Sequence, residues 1–216
     1  MKARPILFNT DMVKAILAGH KTQTRRAVNA YMAANFDEPR GAEDVLAGYP
    51  FVEAEDGYVS ALKLCPYGQP GDLLYVRETF RVFDSSAECA CYDHCVCSRH
   101  NGKPMYFADG FCTKDDYKWN PSIHMPRWAS RLTLEITDVR VERLQEISEE
   151  DAKAEGIKAC EQQLDPDNNC YSATELFSML WVSLYGHDNY AANPWVWKVS
   201  FSPIFKNVDE VIRERI

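Results

Sequence analysis

The chain has 216 residues, of which 46% are apolar and 12% aromatic, enough for a packed core and too apolar for a globally disordered chain. No apolar run approaches the roughly 20 residues of a membrane-spanning helix, and Ile6-Leu7-Phe8 is too short to be a secretory core, so a cytoplasmic protein away from membranes is expected. A formal net charge of −8 argues against a protein that coats nucleic acid electrostatically.

In chain order, Pro5–Phe8 reads as a short buried strand. Thr10 offers a helix N-cap, Met12, Val13, Ile16 and Leu17 follow at helical spacing, and Gly19 is placed to end the helix. His20–Arg26 is polar and basic with no apolar period. Residues 30–62 are weakly patterned and read as an inserted loop. Pro70-Gly71 is a turn, and Leu73–Phe80 is strand-like after it. A second, Cys-rich insertion spans 84–120, with Met105–Phe107 as a strand inside it. Leu132, Leu134 and Ile136 alternate with polar residues, the period of a half-buried strand.

Ser148 and the acids after it open a short helix that Gly156 stops. Ser172 and Glu175 form a capping box ahead of an apolar-periodic helix that Gly186 ends. Trp195–Phe201 is a strong closing strand. The pattern predicts an α+β chain: a small mixed β-barrel with peripheral helices, one domain over 1–206 and a charged, frayed or helical tail at 207–216.

Charge is distributed unevenly. Residues 1–29 hold six bases against Asp11 alone, whereas residues 142–188 hold eleven acids against three bases. The basic Lys21–Arg26 segment is either a solvated loop or a nucleotide-facing site. A lysine acts as a general base only where burial or neighbouring cations depress its pKa, and Arg25 and Arg26 are such neighbours. A threonine hydroxyl within its reach is then a candidate nucleophile.

The run Gly19-His20-Lys21-Thr22-Gln23-Thr24-Arg25-Arg26 resembles the Gly-x-Lys-Thr-x-Thr-x-Arg signature of the ASCH domain family, a PUA-like β-barrel. Pro70–Val76 resembles that family's Gly-Asp strand entry, and the later strands and short helix follow in the expected order. The chain is similar to the longer ASCH proteins carried by phages and prophages. One branch of the family, the small bacterial N4-acetylcytidine amidohydrolases, uses a Lys, a Thr three residues on and a Glu in the short helix. The resemblance implies Lys21, Thr24 and Glu155 in those roles, with Glu149, Glu150 or Asp151 as other candidates for the acid. It implies attack by Thr24 on an amide carbonyl, proton transfer through Lys21 and Glu155, and backbone amides of residues 19–25 around the oxyanion, with no cofactor needed for catalysis. Other members bind or cleave RNA, so a non-enzymatic RNA or modified-base binding module and a metal-independent ribonuclease are the alternatives.

Thr22, Arg25, Arg26, Tyr75, Arg77, Glu78, Arg127 and Trp128 are candidates to bind a cytidine-like nucleoside or RNA, Tyr75 and Trp128 by stacking. Cys89, Cys91, Cys95 and Cys97 fall within nine residues and suggest a structural zinc that would staple the second insertion. The chain has no Gly-x-Ser-x-Gly elbow, no P-loop and no Gly-rich dinucleotide fingerprint.

Overall fold

The computed structural model describes residues 1–37, 50–54, 57–84, 101–110, 117–167 and 169–215. Strand β1 (Ala3–Leu7) leads into helix α1 (Thr10–Leu17). The cap is Asn9 rather than Thr10: its side chain accepts from Met12 N at 2.9 Å in extended geometry, and Thr10 is already helical. Met12, Val13, Ala15 and Ile16 form the buried face.

Strand β2 (Gln23–Ala27) and helix α2 (Ala30–Ala34) follow. The 30–62 region, expected as loop, also contains a small antiparallel sheet of β3 (Phe36–Asp37), β4 (Phe51–Ala54) and β5 (Gly57–Ser60). Strands of two to four residues are too short to display a period, which is why the sequence did not reveal them. Then come β6 (Leu73–Arg77), a hairpin-like pair β7 (Phe80–Val82) and β8 (Pro104–Tyr106), and the long β9 (Thr133–Arg143). The second half adds α3 (Glu149–Ala154), α4 (Glu161–Leu164), α5 (Ala173–Tyr185), α6 (His187–Ala191), β10 (Trp195–Ile204) and α7 (Val208–Glu214).

The main sheet has the order β1-β6-β9-β10-β2, with β1 parallel to β6 and the other pairs antiparallel. Helices and a mixed sheet make the chain α+β. The sheet does not close into a barrel among the described residues: β1 and β2 are its two edges. Arg26 of β2 does reach across, donating from Nη2 to Leu7 O of β1 at 2.6 Å.

One core cluster joins α1 to the sheet through Val13, Ile16, Val76, Ile136 and Trp197. A second lies under α5 and holds Leu144, Ile157, Phe177, Trp181 and Val196. The C-terminal tail is helical and docked: Val208 and Val211 of α7 pack on Leu73, and Arg215 forks onto Glu135 at 2.9 and 2.8 Å. Among the described residues no helix is long and apolar enough to cross a membrane.

Candidate active site at the open seam of the sheet

The segment between α1 and β2 is held by its backbone. The amides of Gly19, His20 and Lys21 donate back to Ile16 and Ala15 carbonyls, and Thr22 N donates to Ala154 O at the end of α3. Phe201 N of β10 donates to Thr22 O. These commitments take the amides of residues 19–22 out of contention as oxyanion donors, contrary to the expectation from the loop.

Gly156 allows the next contact. Its φ is +78°, and a Cβ there would lie 2.9 Å from both Ala15 Cβ and Lys21 Cβ. Only glycine takes this backbone without strain and lets the end of α3 lie directly on Lys21. Glu155, the preceding residue, is thereby placed against it. Lys21 is only 1% exposed. Its Nζ donates to Glu155 O at 2.7 Å and to Glu155 Oε2 at 2.9 Å, leaving one N–H with no acceptor among the described residues. Burial pushes the Lys21 pKa down, and Arg26 works in the same direction; the charge and hydrogen bond of Glu155 oppose it without reversing it.

Arg25 organises the other side of Glu155. Its Nε and Nη2 donate to Glu142 Oε1 at 2.8 and 2.5 Å, Nη2 also reaches Asp151 Oδ2 at 2.9 Å, and Nη1 reaches Glu155 Oε1 at 3.2 Å. Lys198 Nζ completes the cluster on Asp151 Oδ2 at 2.6 Å. Burial alone would raise the Asp151 pKa, but the Lys198 hydrogen bond and the charges of Arg25 and Lys198 hold it below the usual carboxylate range. The basic early segment and the acidic late segment therefore meet in space, and the charges of Lys21 and Arg25 are paired with carboxylates.

Arg26 is arranged differently. Its guanidinium lies 5.2 Å from the Phe8 ring centre, and its buried Nε has no hydrogen-bond partner among the described residues.

These groups line a cleft of about 180 Å³ at the seam between β1 and β2. Lys21, Thr24, Arg25, Arg26 and Glu155 make its polar part. Leu7, Phe8, Asn9 and Met12 line it from β1, α1 and the junction between them, and Phe177, Leu180, Trp181, Leu184 and Tyr185 from α5. A drug-sized pocket runs to roughly 300–1,000 Å³, so this one suits a single base.

The three residues assigned to catalysis thus share one cleft. Among the candidate acids, geometry separates the roles. Glu149 caps α5, accepting from Ala173 N, Thr174 N and Thr174 Oγ1 at 3.1, 3.0 and 2.6 Å. Asp151 pairs with Arg25 and Lys198, and Glu150 is exposed. Glu155 alone of these acids lines the cleft.

The binding candidates divide. Arg25 and Arg26 line the cleft, Arg25 with its fork already occupied by carboxylates. Thr22 is exposed and does not line it. Tyr75, Arg77, Glu78, Arg127 and Trp128 do not line it either. Arg127 pairs with Asp209 at 2.7 Å and lies over the Tyr75 ring, while Arg77 Nη2 is bonded to Ile123 O. Glu78 is buried against Arg131 at 2.9 and 3.0 Å; burial raises its pKa against the pull of that arginine. Trp128 is 56% exposed. Tyr75 packs beside Leu73 and Val208, on the side of the sheet covered by α7.

Sequence reasoning missed Glu142, Lys198 and the α5 wall. The capping box announced a helix, but nothing in its period says what that helix faces. Cys89, Cys91, Cys95 and Cys97 lie outside the described residues. Among the described residues no group of three or more His, Cys, Asp or Glu side chains could hold a metal ion. Cys65 and Cys160 are buried free thiols, and Cys170 is exposed. No protein-family model, curated protein or solved structure matches the chain.

Proposed function

We propose that the chain is an ASCH-type amidohydrolase, built on an open PUA-like sheet, that cleaves the exocyclic amide of an N4-acylated cytosine base or nucleoside. The observation that carries this reading is the buried Lys21–Glu155 pair, 2.9 Å apart, in a base-sized cleft that also takes in Thr24. In the proposed reactive form one proton has moved from Lys21 Nζ to Glu155 Oε2, which turns the ion pair into a base and an acid; burial of Lys21 penalises its charged form.

The proton inventory then closes. Neutral Lys21 takes the proton of Thr24 as its oxygen bonds to the acyl carbon. Protonated Glu155 gives its proton to the amine nitrogen as the C–N bond breaks, leaving the ion pair and an acyl-threonine ester. Water then attacks the ester, Glu155 takes the water proton, and Lys21 returns one to the departing Thr24 oxygen. The products are the carboxylic acid and the cytosine amine. Arg26 is the donor assigned to the substrate oxygen, because its Nε is buried at the cleft without a partner among the described residues. The occupied fork of Arg25 supports a small uncharged ligand over a long polyanion.

Turnover of N4-acetylcytidine to cytidine and acetate is the test. Lys21→Ala is expected to lower kcat/KM by about 10²–10⁴, the usual worth of a general base. Full turnover by that variant would overturn the assignment. Degradation of single-stranded RNA with no cytidine release would favour a ribonuclease instead.

A further inference from the structure

We propose that the last turn of α5 is an acyl-specificity wall, and that the site favours an apolar acyl group longer than acetyl; this rests on the amidohydrolase reading above. Helix α5 presents Phe177, Leu180, Trp181, Leu184 and Tyr185 to the cleft. Their spacing of i, i+3, i+4, i+7 and i+8 places all five on one helical face. The first part of that stripe is ordinary core, since Phe177 and Trp181 are buried with Leu144, Ile157 and Val196. The last turn is not: Leu184 is 58% and Tyr185 43% exposed, although both continue the same face. The stripe overruns the core and ends at the cleft.

The cleft is divided in the same way as the ligand. Apart from Asn9 at the start of α1, its polar groups come from β2, the segment before it and the end of α3, whereas α5 contributes only apolar and aromatic side chains. An N4-acylcytosine has a base edge that needs donors and acceptors and an acyl chain that needs neither. An acetyl methyl group is too small to cover the exposed Leu184 and Tyr185 side chains. A longer chain laid along Leu184 and Tyr185 takes both itself and them out of water.

The wall is also fixed. Trp181 Nε1 donates to Asn189 Oδ1 at 2.8 Å, and the Trp181 and Tyr185 rings lie 4.5 Å apart. Glu149 of α3 caps the start of α5, so the helix that ends at Glu155 also anchors the wall.

The test is kcat/KM for N4-acetyl-, N4-butanoyl- and N4-hexanoyl-cytidine in the wild type, Leu184→Asn and Leu184→Met. Each methylene buried on the wall is worth about fourfold, so butanoyl, two methylenes longer, should exceed acetyl by about sixteenfold. Leu184→Asn should bring that ratio toward one, and Leu184→Met should keep it. Acetyl equal to or better than butanoyl in the wild type, or a ratio unmoved by Leu184→Asn, would overturn the wall and leave the amidohydrolase reading standing. No turnover of any of the three would overturn that reading and the wall with it.

Discussion

Gly156→Ala tests the contact on which the site is built. The substitution forces alanine into φ +78°, and the left-handed backbone costs a non-glycine residue roughly 1–2 kcal/mol. Its Cβ would also sit 2.9 Å from Ala15 Cβ and Lys21 Cβ, inside the ordinary carbon–carbon separation of about 3.5–4.0 Å. Both neighbours are fixed to backbone and cannot swing away, so α1, Lys21 or the end of α3 must shift, at an overpacking cost of about 1–3 kcal/mol. The loss expected from denaturant unfolding is therefore about 2–5 kcal/mol. Glu155 moves with Gly156, and a displacement near 1 Å costs on the order of 10² in kcat/KM with N4-acetylcytidine. In the Ala15→Gly background, part of the clash is gone, so the two substitutions should couple favourably in a double-mutant cycle. Wild-type stability and turnover in Gly156→Ala, or strictly additive effects with Ala15→Gly, would refute the close approach as the reason for glycine.

Further outcomes follow from the ion-pair cluster. Arg25→Met leaves Glu142, Asp151 and Glu155 without their shared guanidinium and is expected to destabilise by about 3–5 kcal/mol, read from the shift in unfolding midpoint. Lys21 has a pKa lowered from 10.5, so between that depressed value and 10.5 the unfolded chain holds a proton that the native site has released; stability from Lys21 therefore rises with pH across this window. Lys21→Met should remove that slope from a stability–pH profile. Glu149 has its pKa lowered by the Thr174 side-chain and backbone bonds and by Ala173 N, so its contribution is present above the unfolded value and is lost as pH falls through the depressed one. Glu149→Gln should flatten that acid limb and loosen α5, seen as faster amide exchange in its first turn.

Much of the positioning was legible because it is local. The Lys21–Thr24 spacing, the alternation in β9 and the Ser172–Glu175 capping box each depend on residues a few positions apart. What could not be read depends on tertiary register. Glu155 lies at the C-terminal cap of α3, where helical period no longer indicates a face, and its role follows from the turn at Gly156. Arg25 reads as a free base beside Arg26, yet Glu142 lies 117 positions away and meets it only through the sheet. Tyr75 and Arg77 were drawn to the ligand by residue type, whereas β6 places them away from the cleft. Asn9 and Thr10 are both good caps, and the entry angle from β1 chooses between them.

The most direct test is to mix the protein with N4-acetylcytidine, quench within one turnover and map the acylated peptide by mass spectrometry. An acetyl ester on Thr24 that forms as cytidine appears and decays as acetate is released is the expected result. Cytidine release at the wild-type rate by Thr24→Val, or acetyl carried by a different residue, would contradict it.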